Sequence, residues 1–219
     1  MKVADDGGRS TDRGPNQPHA TRSWGTLCTM DRDHDAVWAT ICDHPPVGHM
    51  LQAYAPDRWL RFHSLPDDRR YPETPDEYDE LLYRADVLVG ELSQPGDDLM
   101  LVTGLYGRRG APHPEPSSAQ QLVQPDARYW CTVDATRGTD DGALWPLHLW
   151  VDWRPFGHRA LDTVVRLVAD DELAAVIVVV PDRLVAIHPY HGGVDLLFPT
   201  TEERDAVRQR YADWTMPPR

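Results

Sequence analysis

Two short segments hold the side chains best suited to chemistry. The first is Trp59-Leu60-Arg61-Phe62-His63-Ser64-Leu65-Pro66, continuing to Arg69, Arg70 and Tyr71. In an extended strand, alternation puts Arg61 and His63 on one face, opposite Leu60 and Phe62. An imidazole titrates near neutrality, so His63 can serve as an acid or a base. Arg61, Arg69 and Arg70 together suit a carboxylate or a phosphate. The plainer alternative pairs Arg61 with a local acid, Asp67 or Asp68, and leaves His63 hydrogen-bonding its own loop.

The second segment is His188-Pro189-Tyr190-His191-Gly192-Gly193-Val194-Asp195. Two imidazoles and a carboxylate lie close together at a strand-to-strand connection. Structural zinc usually takes four ligands, so His63 or His148 would have to arrive from elsewhere to complete a site. Pro189, Gly192 and Gly193 are accounted for equally well as turn residues. No metal and no cofactor is therefore expected. His148 has tryptophans around it, with Trp150 on its own strand face and Trp153 on the other. Aromatic side chains serve interfaces and cores alike. The candidate catalytic set is thus His63, His188, His191 and Asp195. The candidate ligand- or partner-binding set is Arg61, His63, Arg69, Arg70, Tyr71, Trp150 and Tyr190.

Several common chemistries lack their signatures. The chain has no phosphate loop, no G-x-G-x-x-G, no H-E-x-x-H and no G-x-S-x-G. Asp31, Asp33 and Asp35 resemble the opening of a calcium loop, but Ala36 stands where the sharp turn needs glycine and Cys42 where a bidentate glutamate belongs. The 35 acidic and 22 basic residues give a net charge of −13. That balance disfavours nucleic acid and anionic membranes and favours a protein partner with a basic face. Cys28, Cys42 and Cys131 are odd in number and form no C-x-x-C pair, which suits reduced thiols in a cytosolic protein. No apolar run approaches the roughly 20 residues of a spanning helix, and the charged N-terminus does not resemble a signal peptide.

The elements that must position these residues follow from pattern and punctuation. Residues 1–23 lack periodic apolar positions and read as a disordered tail ahead of a single domain over 24–219. Asp35 can cap a short helix carrying Val37, Trp38 and Ile41. His49–Tyr54 and Arg58–His63 read as strands. Thr74, Pro75 and Glu77 make a capping box with proline at the first helical position, followed by an apolar stripe from Tyr78 to Leu92. Strands are expected at Leu99–Tyr106, Tyr129–Ala135 and Leu147–Trp153, with a long loop over 107–127 and a polar turn over Arg137–Gly142. Leu161, Val164, Val165 and Val168 recur at helical spacing. Ala174–Val180, Leu184–His188 and Val194–Phe198 form a meander whose first strand is apolar on both faces. Thr200 and Glu203 start a last helix bearing Val207, Tyr211 and Trp214. The expected class is α+β, with a mostly antiparallel or mixed sheet and about three packed helices.

The run Arg58-Trp59-Leu60-Arg61-Phe62-His63-Ser64-Leu65-Pro66, with Arg70-Tyr71-Pro72 and Glu77-Tyr78, resembles bacterial proteins grouped as the DUF3885-like family. The stretch His188-Pro189-Tyr190, then Gly193-Val194-Asp195 and Arg204 to Trp214, is similar to the same family. Asp67-Asp68-Arg69 departs from the serine- and lysine-containing form of the motif. The family has no assigned activity, so the resemblance implies no catalytic role. Charge, missing catalytic signatures and tryptophan content point to a non-enzymatic binding protein of immunity or regulatory type. The competing expectation is a small enzyme or metal-binding protein that uses His63 and the His188–Asp195 loop.

Overall fold

The computed structural model describes residues 33–136 and 143–215, together with all but the side chain of Asp68. The expected tail over 1–23 and the expected turn over Arg137–Gly142 lie outside the described residues, as does Cys28. In chain order the elements are α1 (His34–Ile41), α2 (Leu51–Tyr54), β1 (Trp59–His63), α3 (Pro75–Leu92), β2 (Asp98–Tyr106) and α4 (Ser118–Val123). There follow β3 (Arg128–Thr136), β4 (Leu144–Pro155), α5 (Asp162–Ala169), β5 (Ile177–Val180), β6 (Val185–Tyr190), β7 (Gly193–Leu197) and α6 (Thr201–Arg210).

One sheet of seven strands runs in the order β1-β7-β6-β5-β2-β4-β3, and every pairing is antiparallel. The fold is α+β, and the described residues form six helices where about three were expected. Both faces of the sheet are buried. Leu99, Leu101, Val178, Val180, Ile187 and Leu196 point into a core shared with α3 and α5. Their alternates Met100, Val102, Ile177, Val179, Ala186 and Leu197 point into a second core closed by Trp38, Ile41, Val47 and Leu51. A central strand covered on both sides has no polar positions, which is why β5 reads as an unbroken apolar run.

The capping box of α3 forms as its residues demand: the Glu77 amide donates to Thr74 Oγ1, and the Glu77 carboxylate accepts from the Thr74 amide. Asp33, not Asp35, caps α1, accepting from the Ala36 amide at 3.0 Å. Asp35 instead accepts from Trp130 Nε1 on β3 at 2.9 Å. At α6, Thr200 Oγ1 accepts from the Glu203 amide at 3.2 Å, but the helix stops at Arg210, and Tyr211 and Trp214 stack in the turn beyond it.

Two expected elements differ. His49–Tyr54 is not a strand but a tight turn, Gly48–Met50, running into α2. Only Leu51 of that segment is buried, so a single helical turn that drops one side chain into the second core satisfies it. The loop expected over 107–127 contains α4, started by a Ser117/Gln120 capping box. Ala119 and Val123 join the first core, and polar groups complete the docking: Gln120 Nε2 donates to Thr103 Oγ1 at 2.8 Å, Thr103 donates to Gln124 Oε1 at 2.6 Å, and Gln124 Nε2 donates to the Leu101 carbonyl at 2.7 Å.

The central position of β5 is open to test. Val178→Asp places an unpaired carboxylate in the middle of the sheet and is expected to abolish cooperative thermal unfolding near the parent temperature. Thr74→Ala, which removes only one cap bond, is expected to cost about 1 kcal/mol in a denaturant titration.

Candidate functional site

Register brings the two chemistry-bearing segments together. In β1, Arg61 sits opposite Asp195 of β7, and Asp195 sits opposite His188 of β6. All three belong to the face of the second core, because their neighbours Leu60, Phe62, Val194, Leu196 and Ile187 point into the first. Arg61, Asp195 and His188 therefore form one polar row across three adjacent strands.

The row is built around a forked ion pair. Arg61 Nε and Nη2 donate to Asp195 Oδ1 and Oδ2 at 2.7 and 2.8 Å. Asp195 is only 1 % exposed, so the carboxylate depends on this partner. Trp59 and Tyr190 hold the guanidinium between them, with ring centroids 5.1 and 4.9 Å from its carbon. Of the local acids that sequence proximity suggests, the side chain of Asp68 lies outside the described residues and no ion pair joins Arg61 to Asp67; cross-strand register supplies Asp195 instead.

His188 is 7 % exposed, and its Nδ1 lies 2.6 Å from the Val176 carbonyl oxygen. A carbonyl only accepts, so Nδ1 carries the proton and Nε2 is the basic nitrogen. Burial pushes the imidazole below its usual range, against the opposing pull of the Val176 bond and of Asp195. Gly48 presses against this ring so closely that a Cβ there would overlap it. Burial likewise lowers His49, whose Nε2 lies 3.2 Å from Thr136 Oγ1. Burial, with Asp195 adding to it, pushes the Tyr190 phenol up to about 12.

At the end of the row the β6–β7 turn meets the loop after β1. His63 pairs in register with Gly193, and the Ser64 amide donates to the Gly192 carbonyl at 3.4 Å. Tyr71 is 50 % exposed and lies flat on the His191 ring, with centroids 4.9 Å apart and planes 3° apart. His191 also meets the edge of Tyr190 at 5.8 Å and lies 3.8 Å from Asp171. Arg70 is exposed beside Gly192 and forms no ion pair among the described residues.

The structure thus gathers Arg61, His63, Arg70, Tyr71, His188, Tyr190, His191 and Asp195 at one end of the sheet. Arg69 turns away to the Glu77 carboxylate at the start of α3, so the three arginines do not share an anion. Trp150 is buried elsewhere, on β4, against Tyr129 and His113. His148 lies beside it on the opposite face from His188 and does not complete a ligand set with His191. Among the described residues no group of three or more His, Cys, Asp or Glu is placed to hold a metal. Trp59 and Gly48 were missed as site residues. Trp59 could have been found from its i, i+2 spacing to Arg61, whereas Gly48 carries no such signal.

A family model described as a domain of unknown function, DUF3885, matches residues 47–217, and the chain belongs to that family. No curated protein and no solved structure matches the chain. The match begins beside Gly48 and includes every residue of the polar row.

Removing Arg61 alone strands a buried carboxylate. Arg61→Ala is expected to cost about 3 kcal/mol or more in urea unfolding, whereas Arg61→Leu combined with Asp195→Leu recovers most of the loss. Three imidazoles held below their ordinary value give a second signature. His49, His148 and His188 are all held below the ordinary 6.5, so their contribution to stability is complete above that value. It is lost as pH falls from there toward the folded values, because the unfolded chain takes up protons first. Melting temperature is expected to fall across that window, and less steeply in His188→Asn.

Proposed function

We propose that this DUF3885 chain is a non-enzymatic binding protein of immunity or regulatory type, and that it anchors a protein partner on the rim formed by Arg70, Tyr71, Tyr190 and His191. The observation that carries this reading is the exposed Tyr71 ring held flat on His191. A rigid aromatic beside an arginine is the side-chain chemistry that dominates binding energy at interfaces. Pre-stacking lowers the entropy cost of immobilising the ring on association. The net charge of −13 supplies long-range attraction to a basic-faced partner, while the rim supplies the short-range anchor. Asp195 supports the same reading, since Arg61 already engages both of its oxygens.

A second reading, a small enzyme or metal-binding protein, is favoured by His188. Its proton is fixed on Nδ1 and its neighbour across the β6–β7 pair is a carboxylate. That pairing of a neutral imidazole with an oriented base nitrogen suits proton transfer. Titration of the histidine ring signals by NMR, with and without zinc, distinguishes the two. A zinc-dependent shift shared by His188 and His191 would favour the second reading, and no response favours the first.

For the binding reading, the full chain and an Arg70→Ala/Tyr71→Ala variant are compared as baits in native lysate, and the recovered partner is then titrated against both. The variant is expected to bind at least about ten-fold more weakly, and association of the parent is expected to slow as salt rises. Equal affinity of the two chains, or recovery of the bait alone, would overturn the assignment.

A further inference from the structure

The sheet carries a second imidazole cluster, at the opposite end from the ion-paired row. His148 of β4 is 4 % exposed and points to the α3/α5 side of the sheet. Its Nδ1 lies 2.6 Å from Thr132 Oγ1 on β3, which in turn lies 2.6 Å from the Tyr129 hydroxyl. Its Nε2 is buried and has no hydrogen-bond partner among the described residues. A buried polar atom left this way is rare, and it is tolerable only while the ring is neutral.

The segment over 107–117 is held against this ring. Gly107 sits so close to the His148 imidazole that a Cβ would overlap Nε2. Six residues on, His113 stacks on Tyr129 with centroids 4.2 Å apart, and it lies 6.4 Å from His148 and 6.2 Å from Trp150. The groups facing His148 are few. From the segment comes His113, from β3 come Thr132 and Tyr129, from β4 comes Trp150, and from β2 comes apolar Leu105. Asp134, the one carboxylate on β3, is engaged by Arg109 at 3.2 Å. Among the described residues, His113 is the charged or titratable group that acts on His148.

We propose that His148 is a pH-operated latch, which holds the 107–117 segment and its stacked His113 on the sheet when the His148 ring is neutral and releases them when it protonates. Protonation makes both ring nitrogens of His148 donors, so that Nε2 carries an N–H against the backbone of Gly107, and it puts a buried cation 6.4 Å from the His113 ring. Both consequences are relieved by moving the segment outward. Burial and His113 both hold His148 below its ordinary value, so the latch stays closed at neutrality and opens only as the pH falls below that value. The switch is independent of the rim proposed for partner binding, which lies at the other end of the sheet.

Amide hydrogen exchange of the full chain, corrected for the intrinsic effect of pH, tests the latch at about pH 7.5 and about pH 5.5. Protection over 107–117 is expected to fall about ten-fold or more at the lower pH, while that of β5 and β6 holds. His113→Phe keeps the stack without the charge and is expected to move the opening to lower pH. His148→Gln is expected to remove the pH dependence. Protection that is unchanged between the two pH values, or an opening unaltered by His113→Phe, would overturn the proposal even if His148→Gln fails to fold.

Discussion

The forked pair between Arg61 and Asp195 is the constraint on which the candidate site rests. β1 is an outer strand, paired along one side to β7 and met on the other by a single bridge from Thr215 to Phe62. A strand so placed gains little from backbone bonds alone. The ion pair adds a side-chain clamp across the β1–β7 pair, and it works only if complete. Asp195 is buried and requires a cation; the guanidinium has the planar fork to meet both oxygens and weak enough hydration to lie between two rings. Tyr190 is therefore positioned by Arg61, and through Tyr190 the ring of His191 and then Tyr71 are positioned too.

That chain of contacts separates two kinds of group that are neighbours in sequence. Asp195 and His188 are committed inward, one to Arg61 and the other to the Val176 carbonyl. Tyr71 and Arg70 are presented outward. The inner set sets the geometry and the outer set meets solvent, which is the division expected of a rigid recognition surface. Arg84 extends the support from beneath: it is buried, pairs with Glu80 at 2.6 Å, donates to the His63 carbonyl at 3.2 Å and lies over Trp214. The helix that covers the first core thus also grips the end of β1.

Much of the fold was legible because its signals are local. The capping box of α3, the apolar run of β5 and the turn residues between β6 and β7 each name their own structure. The site was legible in part. Alternation placed Arg61 and His63 on one face, and the His188–Asp195 segment was marked by its residue types. The partnership between them was not legible, since it depends on which strands become neighbours, and proximity pointed to Asp67 and Asp68 instead. α4 was missed for a different reason. Helices are recognised by apolar periodicity, but α4 is short and offers only Ala119 and Val123 to the core, the rest of its docking being made by Gln120 and Gln124, whose amides satisfy Thr103 and the Leu101 carbonyl. Glutamines in a proline-rich stretch read as solvent-facing until a buried threonine is found opposite them.

The two ends of the sheet solve the same problem in different ways. At each, polar side chains lie on a face that is otherwise apolar, and each must be satisfied without water. At the β1–β7–β6 end the solution is charge against charge, which fixes geometry over a wide pH range because the guanidinium never deprotonates. At the β2–β4–β3 end the solution is neutral, with amides on Thr103 and an imidazole on Thr132, and it leaves His148 Nε2 without a partner. Burial and the neighbouring His113 hold that imidazole below its ordinary value, so its neutrality depends on pH in a way that the ion pair does not. Rigidity at the first end and a titratable fault at the second are thus consequences of which side chains were used to fill equivalent positions on one sheet.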